Sequence, residues 1–139
     1  SIGQGDVAAT PLQINTMMSA IANGGKICTP YVKETDTEKE IECRNLRLRG
    51  ETLDLVRQGM IGACSPGGTA GQFFNFTPQV ACKTGTAETV GEKTHAWFTA
   101  YGPTDNPQII ATALIEEAGE GSTVAAPVVK KILEEYFAR

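Results

Sequence analysis

The sequence has no long apolar run and no cluster of positive charge. No apolar segment approaches the roughly 18 residues that a membrane-spanning helix needs, and no charged segment leads into an apolar run. We therefore expect neither a membrane span nor a signal peptide within it. The 12 Lys and Arg residues are outnumbered by 16 Asp and Glu residues, and no basic stripe occurs. This charge pattern argues against a nucleic-acid-binding protein.

Metal-ligating residues are also scarce. The single histidine, His95, has no ligating neighbour in the sequence, and the four cysteines form no Cys-x-x-Cys pair. Structural zinc sites usually contain Cys-x-x-Cys pairs, so we expect no metal site here. We also expect no cofactor. Cys28 and Cys43 flank a polar stretch and have two interpretations, a disulfide formed in an oxidising compartment or buried free thiols. The state of Cys64 and Cys82 is equally open.

What the sequence does contain is enough apolar material for one packed domain. Hydrophobic residues make up 41% of its 139 residues and charged residues 20%, which is ordinary for a globular protein. A chain of this size can bury a core without needing disulfides. We therefore treat residues 1–139 as one folding unit.

A helix is predicted at 10–23. Thr10 can cap its start, Pro11 suits the first helical position, and Gln13 can reach back to complete a capping box. Apolar residues then recur at the helical period, and Asn23 with the following glycines ends the pattern. The apolar face consists of Ile14, Met17, Met18 and Ile21.

The remaining patterns predict an α+β fold. The segment at 109–116 is apolar on both faces, which is typical of a strand inside a sheet. Short connections between the last three strands favour an antiparallel sheet flanked by helices. One apolar face is expected on each later helix, formed by Leu53, Val56, Met60 and Cys64 and by Val128, Val129, Ile132, Leu133, Tyr136 and Phe137. In chain order we predict an extended segment at 26–33, a loop tip at 34–40, an edge strand or loop at 41–48, a helix at 51–64, strands at 79–84, 95–101 and 109–116, and a helix at 123–137.

The stretch ACKTGTAE at 81–88 places an ammonium, two hydroxyls and a glycine at the predicted end of a strand. Alternate side chains leave a strand on opposite faces, so Lys83 and Gly85 are expected on one face and Thr84 and Thr86 on the other. Gly85 has no Cβ, so another backbone can lie close to it. An ammonium and hydroxyls suit recognition of a carboxylate. These residues therefore indicate a place where a peptide with a free carboxylate adds along an edge strand; the alternative is a solvent-facing lysine with ordinary strand threonines.

The sequence resembles the C-terminal part of the transpeptidase domain of class B penicillin-binding proteins. The matching stretches follow the family's order over nearly the whole chain: SIGQGDVAATPLQINTMMSAIANGG, GGTAG, CKTGTAE, HAWFTAYGP and APVVKKILEEYF. The resemblance implies part of the fold shared by these transpeptidases and serine β-lactamases. It also implies peptidoglycan D,D-transpeptidation on the outer side of a bacterial cytoplasmic membrane, with stem peptides and β-lactams as ligands.

The resemblance also implies roles for four residues. Lys83 would set the electrostatics of the pocket, and the hydroxyls of Thr84 and Thr86 would bind the substrate carboxylate beside Gly85. The backbone N–H of Thr86 would form half of the oxyanion hole. The turn 67–69 has two interpretations, either an approach to the edge of the site, as in the family, or a simple helix stop.

Two of the family's three motifs are absent. The family uses Ser-x-x-Lys, Ser-x-Asn and Lys-Thr-Gly, and no serine of this sequence is followed by lysine at the third position or by asparagine at the second. The catalytic nucleophile is therefore missing, and we expect no activity from this chain alone. It would be the C-terminal segment of one transpeptidase domain, and its partner would be the N-terminal part of the same domain. An outer strand exposed by the missing part would favour self-association. The alternatives are a β-lactamase-like hydrolase and a non-catalytic β-lactam sensor or binding module.

Overall fold

The computed structural model describes residues 5, 7–32, 42–89, 91 and 93–139. Within these residues no helix is both long and apolar enough to cross a bilayer. The predicted loop tip at 34–40 lies outside the described residues. The elements are α1 Pro11–Ala22, β1 Lys26–Cys28, β2 Cys43–Asn45, α2 Gly50–Ala63, a 3-10 turn Gly71–Phe73, β3 Ala81–Glu88, β4 Thr94–Gly102, β5 Ile109–Ile115, a π-helical turn Gly121–Ala125 and α3 Ala126–Phe137.

The predicted α+β architecture is confirmed. Strands β3, β4 and β5 form one antiparallel sheet in that order, with α1 on one face and α3 on the other. The strand pairs keep a single register without a bulge along the whole length of β3. Helix α2 packs against β3. Two cores result, one on each face of the sheet.

The start of α1 follows its sequence signature. The Thr10 side chain accepts from the Gln13 N–H, and the Gln13 side chain accepts from the Thr10 N–H, so both halves of the capping box are present. Pro11 occupies the first turn. These local interactions fix where the helix begins, and they confirm the prediction at 10–23.

Strands β1 and β2 pair with each other in a separate two-stranded sheet. Cys28 and Cys43 are opposite each other in this pair and are joined by a disulfide. Of the two states left open by the sequence, the disulfide is the one found. The segment at 41–48 therefore contributes a strand, although only three residues long, and position 41 lies outside the described residues.

The prediction that 109–116 lies inside the sheet is wrong within this chain. Strand β5 pairs only with β4 among the described strands and is therefore an outer strand. Its two faces are apolar because α1 covers one and α3 covers the other. Burial by a helix on each face gives the same sequence pattern as a central strand.

Both later helices bury a narrower face than predicted. In α2, Leu53 and Met60 are buried, but Val56 is 41% exposed. Helix α3 begins at Ala126, not at 123, because the preceding five residues form the π-helical turn. Its predicted stripe divides in two. Val129 and Leu133 are fully buried, whereas the exposed half consists of Val128, Ile132 and Tyr136.

Candidate functional site

The Lys-Thr-Gly segment lies in the middle of β3. The strand runs from Ala81 to Glu88, so the prediction that it ends at 84 is wrong. It continues because 86–88 pair with 94–96 of β4. This pairing is with the next strand of a hairpin, six to ten positions later in the chain, and the composition of 79–84 does not reveal it. As an outer strand, β3 presents alternate backbone groups away from the sheet.

The two faces of β3 carry different chemistry. Ala81 belongs to the core beneath α1 and Cys82 to the core beneath α3, so the unbroken alternation places Lys83 and Gly85 on the α1 face. Thr84 and Thr86 fall on the α3 face. This agrees with the alternation predicted from the sequence.

A cleft of about 580 Å³ lies against the α1 face of β3 and β4. Its lining is mostly apolar, and the polar residues of the sheet wall include Lys83, Glu88, His95 and Thr99. One wall is formed by Val7, Ala8, Ala9, Ile14, Met17 and Met18, and the sheet side includes Lys83, Gly85, Ala87, His95, Trp97 and Thr99.

Lys83 and Gly85 shape the rim of this cleft. The exposed Lys83 Nζ donates to the backbone carbonyl oxygen of Thr84, so the ammonium turns towards the strand itself. A Cβ on Gly85 would lie 3.1 Å from the Cβ of its cross-strand partner Trp97, which is tighter than usual van der Waals contact. Glycine at this position therefore makes room for the indole beside the lysine.

On the opposite face, Thr84 meets the loop that follows α2. Its hydroxyl donates to Thr69 Oγ1 at 3.3 Å. The turn 67–69 therefore does approach the Lys-Thr-Gly strand, as the first of its two interpretations held. Gly67 has φ of +88°, a conformation that favours glycine, and a Cβ on Gly68 would overlap the carbonyl oxygens of residues 62 and 63.

A second disulfide joins Cys64 to Cys82, the residue immediately before Lys83. Their Cα atoms are 5.8 Å apart, and both residues are buried. Sequence reasoning left both thiol states open and did not pair these cysteines. Their spacing of 18 residues carries no signal of a contact between a helix end and a strand.

The π-helical turn supports β3 and β4 from the α3 face. A Cβ on Gly121 would overlap the backbone oxygens of Trp97 and Gly85. The turn therefore lies directly on the strand pair at the height of the Lys-Thr-Gly segment. Sequence reasoning did not single out Gly121, because its role depends on a contact with residues more than 20 positions away.

His95 is held by the loop after β5. Its Nδ1 accepts a hydrogen bond of 3.0 Å from the Glu117 N–H, which leaves Nε2 to carry the proton of the neutral ring. The Glu117 side chain pairs with Lys93.

Comparison with known proteins decides the family. Residues 1–134 match the family described as the penicillin binding protein transpeptidase domain. The chain belongs to this family. A peptidoglycan D,D-transpeptidase MrdA from Haemophilus influenzae is 32% identical, over 98% of this chain and 25% of the relative.

Solved structures of penicillin-binding proteins show the same fold. PBP2 from Helicobacter pylori superposes with a TM-score of 0.82 at 33% identity, covering 99% of this chain and 26% of that protein. Penicillin-binding protein A from Mycobacterium tuberculosis, in its imipenem acyl-enzyme complex, gives a TM-score of 0.79 at 28% identity, over 97% of this chain and 32% of that one. The chain spans about a quarter of the length of the MrdA relatives that it matches.

Proposed function

We propose that residues 1–139 are the C-terminal segment of the transpeptidase domain of a class B penicillin-binding protein. In this proposal, β3 is the wall of the active site that binds the carboxylate of a peptidoglycan stem peptide or of a β-lactam. The observation that carries it is the position of Lys83, Thr84 and Gly85 in the middle of an outer strand, beside a cleft of about 580 Å³.

The side chains of β3 have the chemistry that this role needs. A peptide strand can add along the outer edge of β3 through backbone hydrogen bonds. The Lys83 ammonium lies on the α1 face at the rim of the cleft, which Glu88 also lines. The hydroxyls of Thr84 and Thr86, on the α3 face of the same strand, can donate to a carboxylate oxygen that lies along the outer edge of β3. Hydrogen bonds to a charged acceptor are stronger than those between neutral groups. The Thr86 N–H would supply half of the oxyanion hole.

The attacking half of the site would come from the preceding part of the same domain. The Ser-x-x-Lys and Ser-x-Asn motifs are absent from this sequence, so it holds no family nucleophile. Acyl transfer needs a serine whose proton is taken up by an adjacent base. This chain would therefore bind substrate only together with that partner, and would neither cross-link peptides nor react with penicillin alone.

The two disulfides support a site of action outside the cytoplasm. Disulfides persist in oxidising compartments such as the bacterial periplasm and are rare in the cytosol. This agrees with peptidoglycan cross-linking on the outer side of the cytoplasmic membrane.

The test combines the gene with a labelling experiment. The sequence immediately before Ser1 should contain Ser-x-x-Lys followed by Ser-x-Asn. A fluorescent penicillin should then form a stable covalent adduct with the complete domain but not with residues 1–139 alone. An adduct on the isolated chain would contradict the proposal. An upstream sequence without the serine motif would favour a non-catalytic binding module, and rapid hydrolysis of the penicillin by the complete domain would favour a β-lactamase.

A further inference from the structure

We propose that Thr69 is a positioning residue for the Thr84 hydroxyl, and that the Cys64–Cys82 disulfide holds it in place. This inference rests on the proposed function, in which Thr84 binds a substrate carboxylate. Thr69 would act through Thr84 and not by contact with the reacting atoms.

The disulfide and the hydroxyl pair close a ring around the start of the Lys-Thr-Gly segment. Cys64 is the C-cap of α2, and the chain turns back from it to reach Thr69. Cys82 and Thr84 are two positions apart in β3 and therefore share a face. The ring is closed covalently between Cys64 and Cys82, and at its other end by the 3.3 Å contact from Thr84 to Thr69. Only Lys83 separates the two closures along β3.

The loop inside this ring has little freedom. The Ala70 N–H donates to the Ala63 carbonyl oxygen at 2.9 Å, and the Gly68 N–H donates to the Ser65 carbonyl oxygen at 2.8 Å. Ala70 is fully buried, and Gly68 has no space for a side chain. Thr69 therefore lies between two anchored residues, and its hydroxyl can reach β3 only as long as α2 stays tied to that strand.

The hydroxyls of Thr69 and Thr84 can remain hydrogen-bonded to each other both without and with a bound carboxylate. A threonine hydroxyl has one donor and two acceptor positions. In the structure Thr84 donates to Thr69. When a carboxylate accepts the hydrogen bond of the Thr84 O–H, Thr69 can rotate its own O–H to donate to the Thr84 oxygen. This second bond keeps the hydroxyl oriented and polarises it towards the carboxylate.

The test measures acylation of the complete transpeptidase domain by a penicillin and by the methyl ester of the same penicillin. Thr69→Val keeps the shape of the side chain and removes the hydroxyl. We expect it to lower the second-order rate constant for the free acid by about three- to tenfold, as loss of one hydrogen bond predicts. The ester should lose less than about twofold, because an ester oxygen is a weaker acceptor than a carboxylate. Thr69→Ser should restore the rate with the acid.

A matched pair of cysteine variants tests the disulfide. Like Thr69→Val, the Cys64→Ala/Cys82→Ala variant should react more slowly with the free acid than the wild type does, with little change for the ester. It should therefore lose the wild type's selectivity for the acid. The Cys28→Ala/Cys43→Ala variant should retain it, because that bridge joins β1 to β2, which lie outside the sheet of β3.

The outcomes separate the inference from the function on which it rests. If Thr69→Val lowers the rate constants for the acid and the ester equally, or lowers neither, the inference is wrong. The proposed function still stands in that case, provided that the wild-type domain reacts with penicillin. A wild-type domain that does not react with penicillin would overturn both. A Cys64→Ala/Cys82→Ala variant that reacts with acid and ester as the wild type does would overturn the role of the disulfide, and if this variant does not fold, the Thr69 variants still decide the role of Thr69.

Discussion

Asn15 in α1 donates a hydrogen bond of 3.1 Å to the Thr112 hydroxyl in β5, 97 positions later in the sequence. The Thr112 hydroxyl lies 2.8 Å from that of Thr99 in β4, and Thr99 is the cross-strand partner of Lys83. A row of polar side chains thus crosses the α1 face of the sheet, from the helix to the strand pair that carries Lys83. These bonds tie α1, one wall of the cleft, to the other wall.

Thr99→Val tests this row. Thr99 is only 5% exposed, and its hydroxyl contacts both Thr112 and the Ala111 carbonyl oxygen. Valine keeps the shape but removes the hydroxyl, so we expect the free energy of unfolding to fall by about 1 kcal/mol. Urea unfolding measures it. The control Thr52→Val changes an exposed threonine in α2 and should leave the midpoint nearly unchanged; equal effects of the two substitutions would show that the row contributes nothing.

The sequence was sufficient to predict those features of the structure that depend on residues close together in the chain. The capping box of α1 lies within four residues, and the alternation of side chains along β3 requires only a regular strand. Both were predicted correctly. The resemblance of five separate stretches to one family also identified the fold, because the order of motifs constrains topology more than any single motif does.

The prediction failed where structure depends on contacts between one element and another. The extension of β3 to Glu88 comes from pairing with β4, and the Cys64–Cys82 bridge comes from packing α2 against β3. The apolar stripe of α3 gave no sign that Ile132 stays 43% exposed, because the period of a helix marks a face but not what covers it. The approach of the turn 67–69 to the edge of the site was only one of its two interpretations for the same reason.

Gly121→Ala should strongly destabilise the sheet at the candidate site. The new methyl group would overlap the backbone oxygens of Trp97 and Gly85, and backbone has less room to yield than a flexible side chain. We expect a loss of about 1–3 kcal/mol in the free energy of unfolding, the usual cost of overpacking. Chemical denaturation gives the value.

Gly59→Ala in α2 is the matched control. A Cβ there meets open space, and alanine is the better helix former, so we expect a gain of about 0.5–1 kcal/mol. A Gly121→Ala variant as stable as the wild type would contradict the close packing of the π-helical turn against β3 and β4.

Tyr101 should make stability depend on alkaline pH. Burial raises the pKa of its phenol above the usual 10.0, against a smaller lowering effect of the Arg57 charge. The folded state therefore holds the phenol proton more tightly than the unfolded state. Its contribution to stability is complete below a pH of about 10 and is lost as the pH rises towards the raised pKa of the folded state. Tyr101→Phe should show a shallower decline in denaturation midpoint above that pH; parallel declines in the two proteins would contradict the assignment.

Residues 1–139 alone should self-associate. Strands β3 and β5 are both outer strands here, and unpaired strand edges template pairing with other chains. Helix α3 adds an exposed apolar row of Val128, Ile132 and Tyr136, each 40–43% exposed, which favours association further.

Sedimentation velocity over a range of concentrations should therefore show oligomers of the segment. The complete domain should sediment as a smaller oligomer or a monomer, because its preceding part would cover an edge. Ile132→Lys should reduce association if the helix row contributes. A segment that stays monomeric at high concentration would contradict the prediction and show that its outer strands are protected within the chain itself.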